Sequence, residues 1–295
     1  MAHVEANTEC ALPKSPCSNA SEVIMDINQQ FEHIRCGIDH RGVARITLDR
    51  TAKRNAFNRQ TMQELVQAIE LFADHPGVRV LMLDAEGQMF SAGADLDDMR
   101  QMGEASQEDN FQDARLLAQL MRVLDSFPTP TLVLVQGAAF GGALGLICCC
   151  DIALLGDDAR FCLSEVKLGL IPAVISPYLL RTMGHRQLSR YLLTAEIIDA
   201  ETALSLQLGH AVYSSDSLLS EAEDWLLKLL QNAPQAQRQG KALLRQIADH
   251  PINDTLADVT AEKLSLIRSD REAKEGLAAF FEKRPANWQL NGDKL

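Results

Sequence analysis

Aromatic residues are scarce: Phe, Trp and Tyr make up 5% of the 295 residues, with only 2 Trp and 3 Tyr. Such a core is aliphatic, and such a surface has few platforms on which bases could stack. Basic residues are also in deficit, 28 Lys and Arg against 40 Asp and Glu, for a formal charge of −12. That field repels nucleic acid and anionic membranes, so a polyanionic ligand would need a local basic patch. No uninterrupted apolar run approaches the ~20 residues of a membrane-spanning helix. Neither a phosphate loop of the GxxxxGKS or GxxxxGKT kind, nor GxGxxG at the central glycine turn, nor a GxSxG elbow is present. This argues against nucleotide and triad chemistry. No ligand cluster points to a metal, and no cofactor is expected. The 7 cysteines include no CxxC pair, and the consecutive Cys148, Cys149 and Cys150 cannot all face one ion. They fit a reduced, cytoplasmic protein with small buried thiols. His185 and His210 lack partner spacing and read as packing or surface residues. Residues 1–28, without an apolar signal core and with Glu5 and Glu9, read as a loosely attached tail, removable without loss of activity.

Against those absences stands one dense stretch, residues 131–177. A β-branched run at 131–135 is too short for a helix and reads as a buried strand. Gly137, Gly141, Gly142 and Gly145 follow, then an apolar run at 144–150 that fits a buried helix. Glycines free the backbone and let a ligand approach it closely. A helix beginning there offers unpaired N–H groups and the positive end of its dipole. That is the equipment for an anion or a developing oxyanion. A short strand at 159–163 then delivers one carboxylate, Glu165, among apolar neighbours. Upstream, 31–38 and 43–49 read as a hairpin, 59–73 as an amphipathic helix stopped by His75-Pro76-Gly77, and 78–84 as a buried strand. The small-residue loop 90–95 is a second place where a ligand could meet bare backbone, and 109–127 is a helix closed by Pro128 and Pro130. Short helices parted at Gly184, a strand at 211–213 and helices from 219 to 281 complete the chain. The pattern alone is α/β, suggestive of stacked ββα units.

Several motifs, in order, carry a resemblance: KRNAFN at 53–58, FSAGAD at 90–95, QGAAFGGALGL…CDIAL at 136–154, ARFCLSEVKLGLIP at 159–172 and FFEKRPANW at 280–288. On these the chain is identified as a member of the crotonase superfamily of enoyl-CoA hydratases and isomerases. The resemblance implies a crotonase-like spiral of ββα units over residues 29–215, holding the coenzyme A and active sites. It also implies a C-terminal helical trimerisation region at 216–295, giving a homotrimer or dimer of trimers, and an acyl-CoA thioester as substrate. By motif position, the amides of Ala94 and Gly142 bind the thioester oxygen and Glu165 is the acid/base. Lys53, Arg54, Ala56, Ala92, Asp95, Leu96 and Lys283 match coenzyme A contacts, Lys283 commonly reaching a neighbouring subunit.

One departure bears on mechanism. Hydratases of the family carry a first glutamate three residues after the oxyanion glycine, and here that position is Gly145. Three outcomes follow: Glu165 makes both proton transfers, another group positions the water, or the enzyme is an isomerase that shuttles a proton with one carboxylate. The segments around Gly142 and Glu165 resemble the bacterial methylglutaconyl-CoA hydratases of leucine breakdown, and IPAVISPYLL at 171–180 replaces the usual IPGxGGTQRL. The expected reaction is hydration of a branched, carboxylate-bearing enoyl-CoA, with Arg100, Lys167 and Arg181 as candidates for its distal carboxylate. Isomerisation is the alternative. A non-catalytic acyl-CoA- or RNA-binding protein is a third, disfavoured by charge.

Overall fold

The computed structural model describes residues 23–26 and 31–289. Most of the tail expected over 1–28 lies outside them. Its described part, Val23–Asp26, is strand β1, which pairs antiparallel with β2 (Ile34–Asp39). The sheet therefore begins inside the stretch read as tail, because edge pairing uses backbone groups and needs no side-chain pattern.

β2 and β3 (Val43–Leu48) form the expected hairpin, with Ile34 opposite Leu48 and Cys36 opposite Ile46. The Asp39 carboxylate closes the turn by accepting from the N–H groups of Arg41 and Val43, both at 2.9 Å. Helix α1 (Arg59–Asp74) starts where the Asn58 side chain accepts from Thr61 N–H, and it buries Leu65, Ile69 and Phe72. β4 (Val80–Ala85), β5 (Thr131–Val135), β7 (Ile152–Gly156) and β10 (Ala211–Tyr213) add in parallel. The resulting order in the 7-stranded sheet is β1-β2-β3-β4-β5-β7-β10.

Both faces of the parallel strands are covered, so they read as continuous apolar runs. Leu81, Leu83, Val133 and Val135 pack into the main core, with α1 and α3 (Gln107–Asp125). Their neighbours Val80, Met82, Leu132 and Leu134 pack on α7 (Leu218–Leu230) through Leu218, Ala222, Leu226 and Leu230.

A second, 3-stranded sheet joins β6 (Ala138–Phe140), β8 (Arg160–Cys162) and β9 (Ile198–Asp199). Isolated bridges extend it: Ser91 pairs with Ala139, and Phe57 with Ala94. Each turn of the chain thus lays one short segment against the next, the spiral expected from the sequence. α4 (Gly142–Cys149) follows β6, and α5 (Ser176–Thr194) is broken at Gly184, where φ is 72°. α2 (Leu96–Glu104) and α6 (Ala200–Ser205) are short; α8 (Pro234–Ile247), α9 (Asp254–Ser269) and α10 (Arg271–Glu282) form the helical C-terminal region.

Candidate active site

Two tight turns meet at the second sheet. In the first, Gly93 has φ +94°, and a β-carbon there would sit 3.1 Å from the Phe140 carbonyl oxygen. Phe57 straps this turn down: its N–H donates to Gly93 O (2.7 Å), and its carbonyl accepts from Asp95 N–H (2.8 Å). Ala94, between those partners, has no acceptor for its own N–H among the described residues. In the second turn Gly141 has φ +54°, and Gly142 opens α4 as its first residue, with an N–H that likewise has no acceptor there. The first amides of a helix have no intrahelical partner and stand at the positive end of the dipole.

The turns are tied to each other. Phe140 N–H donates to Ser91 O (3.1 Å) and Ser91 N–H to Ala138 O (3.0 Å), while the Phe57 ring lies 3.7 Å from where a β-carbon on Gly142 would be. Two residues that sequence reasoning passed over hold this junction. Ser91, fully buried, donates its hydroxyl to Asn55 O (2.7 Å) and accepts from Gly93 N–H (3.1 Å). Asn55, at φ 52°, donates to the carbonyls of Glu86 (2.9 Å) and Met89 (3.1 Å) and accepts from Arg50 N–H (2.9 Å). The available signal was an asparagine in a polar connection, a residue tolerant of left-handed backbone.

Glu165 does not sit on a strand. It opens a 3-10 turn, Glu165–Leu168, closed by Gly169 at φ 73°, two residues beyond the buried Leu163. Its carboxyl lies against the second glycine turn, with Oε1 3.2 Å from where a β-carbon on Gly141 would be. The other oxygen, Oε2, is buried and has no hydrogen-bond partner among the described residues. Burial holds this carboxyl above the usual glutamate range, opposed in part by its own backbone N–H. A carboxyl kept neutral more readily than usual, against the turn that carries the Gly142 amide, can exchange protons at a carbon next to a polarised carbonyl.

The remaining candidates divide. Lys53 and Arg54 are exposed beside the first turn; Lys53 pairs with Asp97 at 3.0 Å, and Arg54 O accepts from Ala92 N–H at 3.0 Å. Leu96 is 72% exposed. Ala56 is buried, with its carbonyl accepting from Arg50 (3.1 Å). Asp95 is also buried: its carboxylate caps α2 through Asp97 N–H (2.8 Å) and pairs with Arg50 (2.5 Å). Its side chain holds the turn. Lys283, exposed at the end of α10, has no hydrogen bond or ion pair to the Lys53 surface among the described residues. Of the distal-carboxylate candidates, Arg181 is taken by Asp125 (2.5 Å) and by Cys148 O (3.3 Å). Arg100 is exposed, 3.9 Å from Asp97, and Lys167 is exposed on the turn of Glu165 itself. His210 is an exposed residue tied to β7: its backbone N–H donates to Ala153 O (2.8 Å), and its Nδ1 accepts from Ala153 N–H (3.1 Å).

Known proteins are similar to this chain in sequence and fold. Residues 39–291 match the family model described as enoyl-CoA hydratase/isomerase. The crystal structure of an enoyl-CoA hydratase from Shewanella pealeana is 49% identical, with a TM-score of 0.86 over 88% of this chain and 97% of that one. Pseudomonas aeruginosa AtuE is 33% identical, with a TM-score of 0.83 over 88% and 100%. Among curated relatives, the 2,3-dehydroadipyl-CoA hydratase of Escherichia coli is 31% identical over 245 residues, 83% of this chain and 94% of that protein. Glycine turns stacked on a ββα spiral, a carboxyl beside them and a match over most of the chain lead to one assignment: this chain is an enzyme of the enoyl-CoA hydratase/isomerase family, with the crotonase fold.

Proposed function

We propose that the protein adds water across the double bond of an enoyl-CoA thioester, with Glu165 as its single acid/base and the Ala94 and Gly142 amides holding the thioester oxygen. The observation that carries this is the Glu165 carboxyl beside Gly141, with Oε2 buried and unpartnered among the described residues. The working form is the neutral acid. Its O–H gives a proton to the α-carbon while its carbonyl oxygen takes one from the water whose oxygen bonds the β-carbon. One H and one OH are added, and the acid is regenerated with its proton on the other oxygen. The enolate charge that develops falls on the two amides, each worth about 3 kcal/mol.

The proposed substrate bears a branched acyl chain with a distal carboxylate, of the methylglutaconyl-CoA kind. The likeness of the segments around Gly142 and Glu165 supports this, as does a relative named for a dehydroadipyl ester. Lys167, exposed on the Glu165 turn, is the cation proposed to meet that carboxylate. Lys53 and Arg54 supply the basic patch that an acidic protein needs for coenzyme A phosphates. Lys283 would reach the ligand from a neighbouring subunit of a trimer. Support for that assembly is the exposed apolar set Leu264, Leu266, Leu277, Phe280 and Phe281 on α9 and α10.

Glycine at 145 favours a second reading, isomerisation by the same glutamate, and pH separates the two. Hydration starts from the protonated acid, so its rate falls as pH rises through a pKa held above the ordinary glutamate range. Isomerisation starts from the carboxylate, so its rate falls as pH drops through that pKa. In the test, Glu165→Gln should lose on the order of 10²–10⁴-fold in turnover while still binding the ester. The parent should incorporate oxygen from labelled water, with an alkaline limb. Parental turnover in Glu165→Gln refutes the role of this residue; double-bond migration without oxygen uptake replaces hydration by isomerisation.

A further inference from the structure

The segment carrying Glu165 has little grip on the core. Between Leu163 and Ile175, Pro172 is the sole buried residue, and 167–171 are exposed. Its hydrogen bonds are largely internal: Leu170 N–H to Glu165 O (3.0 Å), Ala173 N–H to Ile171 O (2.9 Å), and the Ser176 N–H and hydroxyl to Pro172 O (3.0 and 2.7 Å).

The segment ends on Ile175, 2% exposed, at the N-terminal boundary of α5. This side chain sits on bare backbone of α4. A β-carbon on Gly145 would lie 2.4 Å from Ile175 Cγ2 and 2.7 Å from Met121 Sδ. Non-bonded carbons rest about 3.5–4.0 Å apart, so any side chain at 145 would displace Ile175. Gly145 is one helical turn beyond Gly142 in α4, and on the same side of that helix Leu117, one turn from Met121 on α3, lies 3.9 Å from where a β-carbon on Gly142 would be. Ile175 and Met121 of α3 thus meet over the same glycine face of α4.

We propose that Ile175 is a positioning residue: seated on Gly145, it pegs the Glu165 segment to the helix whose first amide is Gly142, and so fixes the acid relative to the oxyanion donor. This rests on the reading that Glu165 and Gly142 act on one substrate, and it also gives position 145 a reason to be glycine. The space beside it belongs to the peg, so a carboxylate cannot be placed there while Ile175 remains. The enzyme keeps one acid in a fixed position instead of two.

The test uses Ile175→Ala, Ile175→Val, Gly145→Ala and the double variant Gly145→Ala/Ile175→Ala, with Glu165→Gln as reference. Turnover, KM, pH profile and thermal unfolding are measured on the same enoyl-CoA ester. Ile175→Ala should lower kcat on the order of 10–10²-fold, the cost of a misplacement near 1 Å, with KM little changed. Its alkaline limb should move to lower pH, because water entering beside Glu165 relieves the desolvation that raises its pKa. The titratable groups facing Glu165 are Cys162 on β8 and, through Cys162, Lys167 on its own turn; both stay in every variant. Ile175→Val should retain most of kcat. Gly145→Ala alone should lower kcat, and the double variant should lose less than the product of the two single losses, since the new methyl takes the vacated space.

If Ile175→Ala does not fold, Gly145→Ala carries the test: lowered kcat with the limb displaced supports the peg, and parental kcat with an unmoved limb overturns it. Inactive Glu165→Gln beside a fully active Ile175→Ala with an unmoved limb overturns the peg alone. Active Glu165→Gln overturns the proposal together with the reading beneath it.

Discussion

The two ends of the molecule are held by different forces. The sheet and its first helices are fastened by burial, and α7 belongs with them: Leu218, Ala222, Leu226 and Leu230 are all within the core. The next helix, α8, has no buried residue. It is fastened by three basic side chains on one face. Arg238 donates to Val78 O (3.0 Å), Lys241 to Thr129 O (3.0 Å) and Asp151 (2.5 Å), and Arg245 to Asp125 O (2.8 Å). Those partners lie just before β4, β5 and β7 and at the end of α3. The parallel sheet thus presents the edge where its strands begin to a row of cations. Apolar attachment is strong and insensitive to geometry, whereas polar attachment is directional and nearly balanced by desolvation. The two amides sit in the first kind of region, and the carboxyl, on a segment with little burial of its own, is joined to it at Ile175.

The largest expected effect tests that rigidity with the least disturbance of either region. Gly142 is the first residue of α4, where proline is well tolerated, and Gly141 before it has no β-carbon to crowd the ring. Gly142→Pro removes one N–H and should lower kcat on the order of 10²–10³-fold. Gly142→Ala keeps the N–H and meets only ordinary contacts, at 3.7 Å from Phe57 and 3.9 Å from Leu117, so it should retain most activity. Equal losses in the two variants, measured by steady-state kinetics, would show that shape rather than the donor matters at this position.

Next comes the contrast between α7 and α8. Leu226→Ala opens a cavity in a fully buried site and should cost about 2–5 kcal/mol in urea unfolding. Leu244→Ala, on α8 at 67% exposure, should stay within about 0.5 kcal/mol. A comparable loss at Leu244 would mean that something covers α8 in solution.

How far the sequence could be read follows the same division. α1, β4 and β5 were legible because burial imposes a period or a continuous apolar run, and the break of α5 at Gly184 because glycine marks it. β6 and β9 are too short to show a pattern, and α2 buries nothing and so has no apolar stripe to detect. At the site, Glu165 and the two glycine turns were visible as motifs. The hydroxyl of Ser91 and the amide of Asn55, which hold those turns, were not, because buried polar supports follow no period. The seating of Ile175 on Gly145 was also invisible: the two are far apart in the chain, and only the fold makes them neighbours.

The smallest expected effect concerns the fastening of α8. Lys241 is nearly buried, 11% exposed, with its ammonium on Asp151. Burial nonetheless pushes its pKa below the ordinary lysine range, because desolvation outweighs the attraction of Asp151. Lys241→Met removes that charge without orphaning its partner, since Asp151 still accepts from the N–H (2.8 Å) and hydroxyl (2.9 Å) of Thr131. The change in stability should therefore be within about 1 kcal/mol. The sign with pH is fixed by the same shift. A lysine whose pKa is lower folded than unfolded is charged at a cost below its folded pKa, and that cost fades as pH rises to the unfolded value. Parent stability should therefore gain over Lys241→Met across that alkaline window, read from urea midpoints at successive pH values. A loss of several kcal/mol in Lys241→Met at neutral pH would instead make this ion pair a net source of stability, and the distinction drawn between α7 and α8 would not hold.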